Sequence, residues 1–409
     1  MVRAAALALL LAAVPATAQP DWTPLTSGST DTLRAFTGDS FSARWLVGDG
    51  GFVAVSSLDR TMWTPVNVGT TADLTSTLQQ TSSQIWAGGA GGTVRLSTDA
   101  GSSWQGRDIP DASQTYTLVS SASGVAYAVG RAGSIYATSD FGATWALQQS
   151  GTTTPLFGGR QIPGGLGTVT VVGAGGTILN TTDGGATWTP AASGTTADLF
   201  AVDLISNTLF VVGAGGTILR STDLGVTWTA VASGTTADLF DLDASEQNAA
   251  FVTAVGADGT VLRSTDSGDS WCRLDAGTTA DLFAVDMVSN AETLVAGADG
   301  LLLQTTNGGG ACTPVATEVR PTGGIAFPPV YPQPLVGRGT VTLRVDRAQY
   351  VRIEVFDLLG RRVRTIFEGI VTPGTPLTRS FAADGLASGL YLVRARGDDF
   401  VRTRRVVVQ

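Results

Sequence analysis

Gly216-Thr-Ile-Leu-Arg-Ser-Thr-Asp223-Leu-Gly225-Val-Thr-Trp228 reads as a short strand running into a Ser/Thr-x-Asp-x-Gly-x-x-Trp turn. A carboxylate at the head of a turn accepts hydrogen bonds from backbone N–H groups, here expected one to three residues on, and a glycine two places later supplies a positive φ. The tryptophan that follows opens the next strand, brings a large ring to pack between hairpins, and carries an indole N–H that needs an acceptor. The stretch is therefore a hairpin closure with its own staple.

Working outward, the turn recurs with Asp99 and Trp104, Asp140 and Trp145, Asp183 and Trp188, Asp223 and Trp228, and Asp266 and Trp271. Worn copies flank these five: Ser56–Trp63 has Leu58 and Arg60 at the Asp and Gly positions, and Thr305–Cys312 has Asn307 and Cys312 at the Asp and Trp positions. From Trp63 the spacings are 41, 41, 43, 40, 43 and 41, and Trp22 stands another 41 before Trp63. Seven residues ahead of each Asp position lies a four-residue glycine segment, from Gly48–Gly51 to Gly297–Gly300, that reads as a tight hairpin loop. Gly-Thr-Thr-Ala-Asp-Leu-Phe opens the units at 194, 234 and 277. Four short strands per unit of about 40 residues is the period of a propeller blade, and seven glycine hairpins mean seven blades.

The ends of the pattern predict how the ring closes. Trp22-Thr-Pro-Leu and Cys312-Thr-Pro-Val offer one outermost strand more than seven blades need. The N-terminal strand is expected to complete the last blade, so that no sheet edge stays open between first and last. The fold class is all-β: a seven-bladed propeller over 22–315, a Pro-rich linker over 316–330, and a small Ig-like β-sandwich over 331–409. In that last part alternating runs such as Val351–Phe356 and Val401–Val408 read as half-buried antiparallel strands.

Composition narrows the chemistry. The 409 residues include no histidine and no lysine, which removes His-based triads and His metal sites. Residues 1–330 hold 12 Arg against 27 acids, net −15, and 331–409 hold 13 Arg against 7 acids, net +6, together the −9 of the whole chain. An acidic propeller disfavours nucleic acid as a partner. Residues 1–18 carry Arg3, an apolar run from Ala4 to Val14 and the exit Ala16-Thr17-Ala18, the three parts of a secretory signal peptide, and the run is too short for a membrane span. Export makes a disulfide between Cys272 and Cys312 conceivable, but equivalent places in neighbouring repeats lie too far apart for one. A bond requires the chain to leave the repeat pattern after Asn307.

The box turns resemble the Asp-box, or bacterial neuraminidase repeat. With the Val-Gly-x-x-Gly-x-Ile/Val hairpins at a period near 41, they are more similar to the photosystem II assembly factor type of seven-bladed propeller than to sialidases. The tail resembles the type IX secretion C-terminal sorting domain. Its matching residues are Tyr331, Pro332 and Pro334 in the opening, Gly360 after Val351–Leu359, Gly389 and Tyr391 in Gly385–Arg394, and the basic close at Arg404 and Arg405; Gln333 stands where that family has Asn. This resemblance implies export through the periplasm and outer membrane, engagement of the type IX machinery through 331–409, and release or attachment at the outer surface.

No catalytic residues, metal ligands or cofactor are assigned. Sialidases look to use three Arg, a Tyr nucleophile and a Glu, and no such set is present. A general glycosidase needs two opposed carboxylates, yet nearly every Asp falls in a repeated slot and so serves the blade. One carboxylate per box turn falls short of the six to eight oxygens that calcium gathers. Specificity is expected where the repeat is broken: Arg34, Asp49, Tyr116, Arg131 and Arg160, on the face formed by opening turns and glycine hairpins of blades one to four. The sequence thus predicts an exported, monomeric, non-enzymatic module that binds a protein or glycan at the cell surface. The alternative is a secreted glycoside hydrolase or lyase of the Asp-box class.

Overall fold

The computed structural model describes residues 21–38, 42–162, 167–205, 207–245, 248, 250–310, 313–314, 335, 337–345, 348–356, 361–372, 377–383, 386, 389–397 and 401–408. The expected signal peptide and linker, Cys312, Tyr331, Pro332, Pro334 and Gly360 lie outside them. The chain divides into two compact units, one up to Thr317 and one from Glu318.

In the first unit six sheets each start with four consecutive antiparallel strands, and a seventh is built from three consecutive strands plus one from the N-terminus. Blade 5 is representative: Leu199–Ile205, Thr208–Gly213, Thr217–Ser221 and Thr229–Val231, paired in that order. The innermost strands of neighbouring blades touch all the way round, Leu33–Thr37 of blade 1 meeting Leu282–Asp286 of blade 7. As the surplus strand implied, Thr23–Pro24 pairs antiparallel with Leu302–Thr305 and becomes the outer strand of blade 7. The chain then leaves the pattern: Thr313–Pro314 pairs with Cys272–Leu274 as a fifth strand on blade 6, with Pro314 opposite Cys272. Cys272 is disulfide-bonded.

The glycine hairpins each hold a single 3-10 turn, such as Ala214–Gly216. At Gly216 φ is +71°, and an added Cβ would stand 2.1 Å from the carbonyl oxygen of Thr235, so only glycine lets the hairpin lie against the segment leading to the next blade. The box turns differ in detail from expectation. The Asp223 carboxylate accepts not from the first three residues after it but from the Thr227 N–H at 2.8 Å and the Thr227 hydroxyl at 2.6 Å, while the Gly225 N–H goes to the Ser221 hydroxyl at 2.8 Å. Leu224 and Gly225 both sit at positive φ, which tightens the turn and carries the carboxylate across to the fourth residue. The hydroxyls and N–H of Thr144 and Thr227 hold Asp140 and Asp223 down to about 2. In the worn first copy Asp59 takes over one place later, accepting from Ser57 and Thr61.

The box tryptophans bind blade to blade. Trp104 meets Trp45 edge-on at 5.6 Å, Trp145 meets Trp86 at 6.5 Å and Trp188 meets Tyr127 at 6.1 Å, each pair spanning consecutive blades. Trp145 and Trp188 find acceptors in the Arg107 carbonyl and Gln148, whereas the indole N–H groups of Trp104, Trp228 and Trp271 have none among the described residues, so ring burial rather than hydrogen bonding fixes these residues.

In the second unit Arg338–Leu343 pairs with Leu377–Ala382, and a four-stranded sheet runs in the order Arg362–Val371, Gln349–Phe356, Gly389–Arg396, Val401–Val408. Val341, Leu343, Val351, Ile353, Phe381, Tyr391, Val393 and Val406 make one core from both sheets. Leu377–Ala382 was not expected from sequence, because Thr378, Arg379 and Ser380 interrupt its apolar alternation.

Two stability measurements test this account. Trp271 is 4% exposed and packs with Phe210 of the preceding blade, so Trp271→Ala should lower unfolding stability by about 3–5 kcal/mol in a denaturant titration. Cys272→Ser should cost about 2–4 kcal/mol under oxidising conditions and nothing once the wild type is reduced.

Candidate functional site

The innermost strand of each blade begins at the opening turn, and its first residues are used up by the ring itself. The carboxylates of Asp73, Asp198, Asp238 and Asp281 accept the N–H of Gly50, Gly175, Gly215 and Asp258 in the preceding blade's hairpin, at 2.7 to 3.0 Å. The next residue, Leu74, Leu199, Leu239 or Leu282, is fully buried. Then six of the seven strands carry a bulge, between Leu33 and Ala35, Leu74 and Ser76, Leu156 and Gly158, Leu199 and Ala201, Leu239 and Asp241, and Leu282 and Ala284. A bulge re-aims the side chain it inserts. The bulged residues are Arg34, Thr75, Phe157, Phe200, Phe240 and Phe283.

Three residues further along, the blades diverge. In ring order the positions hold Thr37, Leu78, Val119, Arg160, Asp203, Asp243 and Asp286. Arg160, Asp203, Asp243 and Asp286, with Asp241 from the same strand as Asp243, line a polar cavity of about 240 Å³ shared by blades 4 to 7 and blade 1. Two of these acids have a cation. Arg160 Nε lies 3.0 Å from Asp203 Oδ1, and Arg44 Nε, on a side chain 1% exposed, lies 2.7 Å from Asp286 Oδ2. The other two accept main-chain N–H groups of the neighbouring strand, Val285 to Asp241 Oδ2 at 2.9 Å and Met287 to Asp243 Oδ2 at 2.6 Å. They thereby satisfy donors on a strand whose inner edge has no sheet partner.

Burial governs the charge state. Desolvation pushes the Asp241 carboxyl up to about 7, with Asp203 and Asp286 adding repulsion against two opposing backbone hydrogen bonds. Asp243 is raised well above the usual carboxylate range by burial and by the same two neighbours, and Asp203 is raised by burial against the pull of Arg160. Among the described residues no cluster of carboxylates is arranged to hold a metal ion.

The residues singled out from sequence do not form one site. Arg34 and Asp49 do meet, in a two-bond ion pair at 2.9 and 2.7 Å, and the Arg34 guanidinium lies 4.8 Å from the Phe283 ring centre. Arg131 is exposed on the blade 3 hairpin. Tyr116 belongs to the core: it is 1% exposed, occupies the slot that leucine fills in other blades, and donates its hydroxyl to Asp111 at 3.0 Å. Arg160 is not on a surface loop, because Leu156–Gln161 is the innermost strand of blade 4 and carries it to the channel. The channel acids were missed because aspartate was read as a repeated scaffold residue. At the bulged position Phe-x-x-Asp stands in blades 5, 6 and 7 alone, and that restriction to three consecutive blades was the available signal.

A titration checks the cavity. The native state holds a proton on Asp241 that the unfolded chain releases above about pH 4, so stability is greatest below that pH and falls as pH rises to about 7, by up to about 1.4 kcal/mol per pH unit for this group. All nine tryptophans lie between Trp22 and Trp271, so their fluorescence reports the propeller alone. Its melting temperature should fall from pH 5 to pH 7.5, and Asp241→Asn should flatten that decline.

Residues 167–236 match the family described as photosynthesis system II assembly factor YCF48, and residues 329–409 match the secretion system C-terminal sorting domain. Among solved structures, YCF48 bound to D1 peptide superposes with a TM-score of 0.59 at 21% identity, covering 73% of this chain and 100% of that one. YCF48 from Cyanidioschyzon merolae gives 0.57 at 19% identity, covering 70% and 98%. The WD40 propeller domain of Doa1 gives 0.56 at 15% identity, covering 69% and 96%. No curated protein matches the chain. The chain is thus a β-propeller with a segment, 167–236, that matches the photosystem II assembly factor family, followed by a segment, 329–409, that matches the C-terminal secretion sorting domain.

Proposed function

We propose that this is an exported, non-enzymatic binding module: residues 1–18 direct it to the periplasm, residues 331–409 hand it to the type IX machinery, and the propeller, as a monomer, binds a protein or glycan at the outer surface. The observation that carries the reading is the asymmetry of the channel. Seven similar blades need no charged cavity, yet blades 4 to 7 build one with residues that the other blades lack. A peptide ligand has a precedent of fold in the YCF48 structure bound to D1 peptide. Deletion of 331–409 should leave the propeller in the periplasm, as read by fractionation; surface display of the deleted form would overturn the sorting role.

One observation favours the enzymatic alternative. A carboxyl near 7 beside other acids in a cavity is what a general acid requires. Against it, Asp241 and Asp243 are already engaged by the N–H groups of Val285 and Met287, so both serve the neighbouring strand. Incubation with chromogenic glycosides, sialosides and polysaccharides should give no turnover. Hydrolysis that Asp241→Asn abolishes would establish the glycosidase instead.

A further inference from the structure

The bulged positions form a second layer in the same innermost strands as the acids. Phe157, Phe200, Phe240 and Phe283 are half-buried and follow one another across blades 4 to 7, with ring centres 5.7, 5.8 and 5.1 Å apart. One end of this arc already holds a guanidinium, that of Arg34, against Phe283. Each ring lies three residues ahead of the charged layer, so the arc stands between the hairpin face and the cavity.

The cavity is out of charge balance. Its four carboxylates face two arginines, Arg160 and Arg44, and both of these pair with Asp203 and Asp286. Asp241 and Asp243 have main-chain donors and no cationic partner among the described residues. Excess negative charge in a poorly solvated space is relieved by protons or by an incoming cation. A metal ion needs oxygens converging on one point, which the described carboxylates do not provide. A guanidinium differs on both counts: it spreads five donors over a plane and lays its flat face on aromatic rings.

We propose that the channel, floored by Asp241 and Asp243 and lying beyond the rings of Phe157, Phe200, Phe240 and Phe283, receives an arginine side chain of a polypeptide partner, an assignment that rests on the binding function above. Charge complementarity selects this occupant: the propeller side of the chain is net −15, and the aromatic arc favours a planar cation over a point charge. Among the described residues, Asp203, Asp286, Arg160 and Arg44 are the other charged groups facing the floor. Because burial keeps Asp241 and Asp243 protonated well above the usual carboxylate range, seating the cation must release protons, and binding must strengthen with pH.

Calorimetric titration of the full chain with acetyl-Gly-Ser-Arg-Ser-Gly-amide, and with the same peptide carrying citrulline for arginine, tests this. The arginine peptide should bind at least tenfold more tightly than the citrulline peptide, and more tightly at pH 8 than at pH 5.5. Asp243→Asn and Phe240→Leu should each weaken it fivefold or more. Phe240→Leu keeps the apolar packing and removes the aromatic face, and tryptophan fluorescence verifies that both variants are folded. Asp269→Asn, an exposed acid in the blade 6 box turn, should change nothing. Equal binding of the two peptides, or an equal effect of Asp269→Asn and Asp243→Asn, would overturn the arginine assignment. If those results came with a protein or glycan that still bound the intact propeller, the broader binding function would stand; if no protein or glycan bound at all, it would fall too.

Discussion

A ring of sheets has to close, and no single blade can meet that condition. Four blades here hand a hairpin N–H to a carboxylate in the next, box tryptophans pack against the blade before, and every innermost strand touches both neighbours. At the junction of blades 7 and 1 further contacts are added to the regular ones. The outer strand comes from the other end of the unit, Ser27 donates to the Gly300 carbonyl, and Arg44–Asp286 and Arg60–Glu292 bridge the seam. Two ion pairs thus cross the closure itself. A buried pair of this kind adds little net stability over apolar packing, but it fixes which sheet meets which.

The same seam shapes the channel. Asp286 is held by an arginine from the second strand of blade 1, so the charged layer on blades 4 to 7 is anchored across the closure. The cavity, the aromatic arc and the ion pairs of the seam are thus one connected piece of polar architecture inside an otherwise apolar ring. Its acids act as acceptors for the bare inner edge of blade 7, which is why they tolerate burial.

Much of the fold was legible because repetition makes weak signals additive. Seven glycine segments and the spacing of Trp63 to Cys312 count the blades, and the duplicated Thr-Pro after Trp22 and Cys312 reveals the closure. The site was far less legible, for the converse reason. Asp203, Asp241, Asp243 and Asp286 resemble the aspartates of the turns in type, and only their place on the innermost strand gives them a different role. Arg160 was seen as a departure from the repeat but given to the wrong surface, since Gly158-Gly159 made a strand look like a loop. Tyr116 departs from the repeat only as a larger core residue. Fine hydrogen bonding escaped too: a second residue at positive φ, such as Leu224, reaches the carboxylate one residue further than the sequence implies.

The strand Thr23–Pro24 joins a partner made about 280 residues later, Thr23 standing opposite Gln304. For a chain that folds as it is made, that strand is then satisfied only once the last blade has appeared. Six and three-quarter blades can assemble while blade 7 still shows a naked edge, so the late intermediate is adhesive and topologically unfinished. Premature capture of that edge by a second chain would produce an exchanged dimer, with each copy lending its leading strand to the other.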